Sequence, residues 1–163
     1  MIRSSISLAA AALVVGGCVG MSRSETVSPL SDNWTRTGRI ETIALTKGDI
    51  KVTSEFDEIF KSRVKSKLDA CAKGPTPLAL EVTLDRLDKA NPVLTTVVAG
   101  ANVLRGQARL VNPATGAVVA DYKIGKTIVG GRFAIVVMGQ AEEQLSDAFG
   151  DELCKQAFLP PEK

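Results

Sequence analysis

The chain of 163 residues contains no histidine. That absence removes His-based catalytic triads, imidazole acid–base catalysis and His-containing zinc sites as explanations of what it does. Aromatic residues are scarce: Trp34, Tyr122 and five Phe make up 4% of the sequence, so a core has to be built from aliphatic side chains. Neither sign of charge is in excess, with 20 Lys and Arg against 18 Asp and Glu and a net charge of +2. Nucleic acid is therefore not an expected partner, because its recognition leaves a surplus of cations on at least one face. Also missing is the run of about 20 apolar residues that a membrane-spanning helix requires. Hydrophobic residues nevertheless form 45% of the chain, and its length suits one domain of ordinary size.

What is present begins at the amino terminus. Arg3, Ser4 and Ser5 precede an apolar run from Ile6 that ends at Gly16-Gly17. A cation, an apolar stretch of roughly a dozen residues and then small residues is the order of a cleaved signal peptide. The closing Val15-Gly16-Gly17-Cys18 resembles a bacterial lipobox, with Gly16 standing where Ala, Ser, Thr or Val is more frequent. The resemblance implies that the Cys18 thiol receives a diacylglycerol, that the peptide is cut on its amino side, and that the new amine takes a further acyl chain such as palmitate. At about 0.8 kcal/mol per buried methylene, two or three chains hold a protein to a membrane stably where one does not. By the same resemblance, Val19 in place of Asp favours the outer over the inner membrane, with the domain in the periplasm.

These readings divide the chain. Residues 1–17 are expected as a lipoprotein signal peptide, and 18–33, with Ser22, Ser24, Ser28, Pro29 and Ser31, as a lipidated cysteine and flexible tether. Residues 34–159 are expected as a single domain and 160–163 as a tail. Removing the signal peptide takes only Arg3 from the charged residues and leaves 19 basic against 18 acidic.

Within the domain, Trp34 to Leu45 mixes β-branched and apolar residues ahead of Lys47-Gly48-Asp49 and is predicted as a first strand. Thr53 or Ser54 is placed to cap a helix whose apolar residues are Phe56, Ile59, Phe60, Val64, Leu68 and Cys71, with Gly74-Pro75 as its stop. Leu78, Leu80, Val82 and Leu84 alternate with Ala79, Glu81, Thr83 and Asp85, the period of a strand with one buried face. Val103–Val111 and Ala117–Val129 flank Asn112-Pro113-Ala114-Thr115-Gly116, a hairpin in which Gly takes the position needing positive φ. Met138, Ala141, Leu145, Phe149 and Leu153 then recur at helical spacing, with Glu142, Glu143, Asp147 and Asp151 expected on the wet side and Pro160-Pro161 ending the helix. The order β-α-β-β-β-α predicts an α+β domain, a mostly antiparallel four-stranded sheet with two helices packed on one face.

The lipobox, the hairpin ARLVNPATGAVVADY and the paired glycines before a final helix resemble small proteobacterial envelope lipoproteins of unknown function. Their domain is similar to the amino-terminal domain of TolB and to the curli-secretion lipoprotein. The resemblance covers roughly residues 35–158 and carries over no catalytic residue. It implies a lipid-anchored, non-enzymatic accessory protein that binds an envelope protein or polymer. The alternatives are an oligomeric pore or secretion subunit and, least favoured, an enzyme. No cofactor is expected.

Cys71 and Cys154 are the thiols that remain once Cys18 is lipidated. In an oxidising compartment an even pair suggests a disulfide, provided that the two helix ends meet. Against this, Cys154 lies about 180° from Leu145 at 100° per residue, off the apolar stripe, so two separately buried thiols stay an alternative. Lys61, Arg63, Lys65 and Lys67 form a candidate cationic face for lipid phosphates or an acidic partner, or else simply complement the helix dipole. Gly125-Lys126-Thr127 lacks the first glycine of a phosphate loop, since Ala120 stands there. Asp85, Asp88 and Asp121 read as solvated turn and strand charges beside Arg86 and Lys89.

Overall fold

The computed structural model describes residues 19–91, 100–130 and 140–158. Along the chain come strands β1 (Val19–Ser22) and β2 (Glu25–Ser28), helix α1 (Asp32–Thr37), β3 (Gly38–Lys47), helix α2 (Phe56–Cys71), β4 (Thr76–Asp88), β5 (Gly100–Val111), β6 (Val118–Gly130) and helix α3 (Ala141–Ala157). The expected β-α-β-β-β-α order is found from β3 to α3. The expectation of four strands and two helices is too small, because the amino-terminal stretch adds two short strands and a short helix.

The sheet runs β1-β6-β5-β4-β3, with β2 also on β6. All pairings are antiparallel except β3 with β4, which is parallel and joined through α2. A parallel neighbour needs a crossover, and α2 supplies it. The segment expected as a tether is thus an edge strand in two pieces: Val19 pairs with Val129 and Ser22 with Lys126, then Glu25 with Lys123 and Thr26 with Tyr122. Composition misled here because serines and threonines on a half-wet edge look like linker residues, whereas β6 gives them a backbone ladder. Trp34, expected to open the first strand, sits in α1, and the strand proper starts at Gly38.

One face of the sheet carries the core. Ile40, Leu78, Leu80, Val82, Leu84, Leu104, Ala108, Leu110, Ala120, Tyr122 and Ile124 are buried beneath Phe56, Phe60, Val64 and Leu68 of α2 and Leu145, Phe149 and Leu153 of α3. The few rings concentrate where the helices meet: Phe60 lies 5.7 Å from Phe56 and 5.3 Å from Phe149, centroid to centroid. The hairpin forms as predicted, with Asn112 N–H donating to Ala117 O at 2.9 Å and Gly116 at φ 71°. The cap of α2 differs from expectation, since Glu55 precedes the helix and makes no capping bond with its side chain. The parts of the last helix signal that fall on Met138 and Pro160-Pro161 lie outside the described residues.

Helices α2 and α3 run parallel, as three rungs with a nearly constant sequence offset show. Arg63 pairs with Asp147 at 3.3 Å, Lys67 with Asp151 at 3.1 Å, and Cys71 is bonded to Cys154 with Cα atoms 6.0 Å apart. Gly150 permits this approach, since a Cβ there would stand 2.7 Å from Lys67 Cβ and 3.3 Å from Val64 Cα. The off-stripe position of Cys154 is explained by α3 having two neighbours: its buried side is widened beyond the sheet-facing stripe by α2, so Cys154 is buried with Leu145, Phe149 and Leu153 and meets Cys71 there.

Candidate functional site

The site is built at the sheet edge that follows Cys18. β1 begins at the next residue, and its four residues lie in register along β6. Gly125 sits where the edge strand kinks. Arg23 N–H donates to Gly125 O at 2.8 Å, Gly125 N–H donates to Ser24 Oγ at 3.2 Å, and a Cβ at Gly125 would stand 2.6 Å from Arg23 O. The edge is clamped from the helix layer by Glu152 of α3, which is 9% exposed. Ser22 donates to its carboxylate at 2.6 Å, Lys126 at 2.9 Å and Gln156 at 3.1 Å. Burial pushes the Glu152 carboxyl up, but the bonds from Ser22, Lys126 and Gln156 and the charge of Lys126 outweigh it and bring its pKa to about 2.

A second buried carboxylate fastens the amino-terminal end of α3. Glu142, expected to face solvent, is 5% exposed and accepts from Thr53 N–H at 2.9 Å and from Lys89 Nζ at 2.7 Å, with Thr53 Oγ1 on its other oxygen. Burial again acts upward, and the bonds from Lys89 and Thr53 win, leaving the group below the ordinary carboxylate range. Further along, Leu30 N–H donates to the buried Tyr122 hydroxyl at 2.9 Å, fastening the chain after β2 to the sheet.

The sheet face away from the helices is open and polar. It carries Glu81 paired with Arg109 at 2.9 Å, Asp121 accepting from Gln107 at 2.7 and 2.9 Å, and Glu25 paired with Lys123 at 3.2 Å. An open cleft of about 470 Å³ lies there between Arg23, Glu25, Asp85, Arg105, Gln107 and Lys123. Arg105 forms no ion pair among the described residues.

Cys18 lies outside the described residues. Cys71 and Cys154 are brought together in a disulfide. The four cations of α2 are not gathered into one free surface: Arg63 and Lys67 pair with α3, Lys65 pairs with Asp69, and Lys61 alone is without an ion pair among the described residues. Lys126 of the partial phosphate-loop match lies in β6 and is taken by Glu152, while Asp88 pairs with Arg86. No group of three potential metal ligands occurs among the described residues. Sequence reasoning missed Glu152, Ser22 and Lys126. The signal available was an acidic residue next to Leu153 on a stripe that must be covered, one turn from Ala148 and Gln156.

The architecture belongs to a class of α+β sheet domains already seen in bacterial proteins. It is similar to PelC from Paraburkholderia phytofirmans, crystallised as a dodecamer, with 14% identity over 85% of this chain and 99% of that one and a TM-score of 0.54. A PelC point variant, also a dodecamer, gives 13% identity and a TM-score of 0.51 over the same shares. A DUF330 protein from Xanthomonas campestris matches at 12% identity and a TM-score of 0.54, over 79% of this chain and 89% of that one. At these identities the likeness is one of fold. No family model and no curated protein matches the sequence.

Proposed function

We propose that the chain is a lipid-anchored, non-enzymatic accessory protein of the bacterial cell envelope that acts by contact with another envelope protein or an envelope polymer. The observation that carries this reading is the lipobox Val15-Gly16-Gly17-Cys18 set directly ahead of a domain with the PelC fold. The anchor holds the domain at its own leaflet, in the outer membrane by the Val19 argument. The open polar sheet face around Arg105 offers the surface for contact. The test is mass analysis of the mature amino terminus together with Cys18→Ser. An acylated Cys18, and loss of membrane attachment in the variant, are expected. A Cys18→Ser protein that still sediments fully with membranes overturns the anchor. Photo-crosslinking at Gln107 and Arg109 in cells should capture one defined envelope component, and capture of none overturns the open face as the contact surface.

A second reading, an oligomeric envelope subunit, is favoured by one specific observation: the fold covers 99% of a protein that forms a dodecamer. A ring in native mass measurement of the lipidated protein supports it, and a monomer at all concentrations removes it.

A further inference from the structure

The anchor and the fold meet without a spacer. β1 starts at Val19, so a lipid on Cys18 is joined to the first residue of a paired strand, and consecutive Cα atoms are ~3.8 Å apart. That strand is not a fraying end. Its register runs from Val19 opposite Val129 to Ser22 opposite Lys126, Arg23 N–H continues the ladder onto Gly125, and Ser22 is held by the buried Glu152. A flexible tether lets a domain tumble above its leaflet, but an anchor fused to a clamped strand does not.

The direction follows from the registers. Val19 lies opposite Val129, Val129 opposite Ala101, and Gly130 opposite Gly100, so the start of β1, the end of β6 and the start of β5 are level. The hairpin Asn112–Ala117 is at the other end of β5 and β6. So is Trp34, because its carbonyl accepts from Gly38 N–H, and Gly38 is opposite Thr76, three residues beyond the Ala79 that faces Val111. The 12 residues of β5, at about 3.4 Å each, separate these ends by roughly 40 Å.

We infer that the domain stands end-on above its leaflet in a fixed orientation, the sheet end bearing Val19, Ala101 and Val129 turned toward the lipid surface and the end bearing Trp34 and the hairpin pointing away. The occupant of the docking end is the bilayer itself, dictated by the single peptide bond between Cys18 and β1. The open sheet face then stands upright, presented sideways to neighbours on the same membrane. This inference rests on the lipid anchor proposed above.

The lone tryptophan makes the test direct. The lipidated full chain is reconstituted into phosphatidylethanolamine and phosphatidylglycerol vesicles carrying a dansyl headgroup lipid, and energy transfer from tryptophan to dansyl is measured. Native Trp34 is compared with a chain carrying Trp34→Phe and Ala101→Trp, Ala101 being exposed at the docking end. Transfer from position 101 is expected to exceed transfer from Trp34 several-fold. Inserting a flexible Gly-Ser segment of ten residues between Cys18 and Val19 should then collapse the difference. Acylated protein in which the two positions transfer equally, or in which Trp34 transfers more, overturns the end-on orientation and leaves the anchor standing. Protein with an unmodified Cys18 overturns the anchor and the orientation with it. Circular dichroism of both chains establishes that the substitutions leave the fold intact.

Discussion

Ser22 donates its hydroxyl hydrogen to Glu152 at 2.6 Å across a sequence separation of 130 residues. With Lys126 on the other carboxylate oxygen, this contact fastens the edge strand, the neighbouring strand and the last helix to one point.

Glu152→Gln is expected to lower stability at neutral pH by roughly 1.5–3 kcal/mol, the range for hydrogen bonds to a charged group. Its carboxyl is depressed from 4.5 to about 2 in the folded protein, so its contribution is fully present above pH 4.5 and is lost as pH falls through about 2. Wild type should therefore lose stability across that window and the variant should lose less. Urea midpoints at pH 7, 4 and 3 measure this. Parallel acid limbs for the two proteins would contradict the assignment.

Reduction of the Cys71–Cys154 bond should destabilise the domain by about 4.5 kcal/mol in the chain-entropy model, since the bond closes a separation of 83 residues. Thermal unfolding with and without reductant checks the size. A thiol count on unreduced, denatured protein checks the bond itself, and two reactive sulfurs beyond Cys18 would remove it.

Gly150→Ala should destabilise. In a free helix this change gains about 1 kcal/mol, but here the added methyl meets Lys67 Cβ at 2.7 Å, and overpacking of a rigid contact costs roughly 1–3 kcal/mol. The sign is the measurement: a stabilised variant means that α2 and α3 are further apart than described.

Tyr122→Phe deletes the acceptor of Leu30 N–H and should cost about 1–3 kcal/mol, the usual penalty for an unsatisfied buried donor. Hydrogen exchange localises the effect. The Leu30 amide should lose protection ahead of the β5–β6 ladder, and uniform loss across the sheet would argue against a local fastening.

What the sequence displays well are elements whose burial follows a simple period. Phe56, Phe60, Val64 and Leu68 recur every four residues, and Leu78 to Leu84 alternate, so α2 and β4 are legible from hydropathy alone. The amino-terminal edge strand is not legible, because nothing in Gly20–Ser28 is buried or periodic and its structure comes from backbone bonds to a partner about a hundred residues away. Glu142 and Glu152 are hidden for a related reason. Their burial is a consequence of which cations the fold delivers, Lys89 and Lys126, and those arrive from just after β4 and from β6, distant in sequence. The disulfide lay between these cases, since both helices were foreseen but their parallel course was not.

The placement of β1 also sets an order of events in folding. The strand partner, Val118–Gly130, and the clamp, Glu152, are the late-emerging parts of the polypeptide. β1 therefore gains its ladder and its clamp only once the carboxy-terminal third of the chain is in place, which makes the amino-terminal edge a late part of the sheet to assemble.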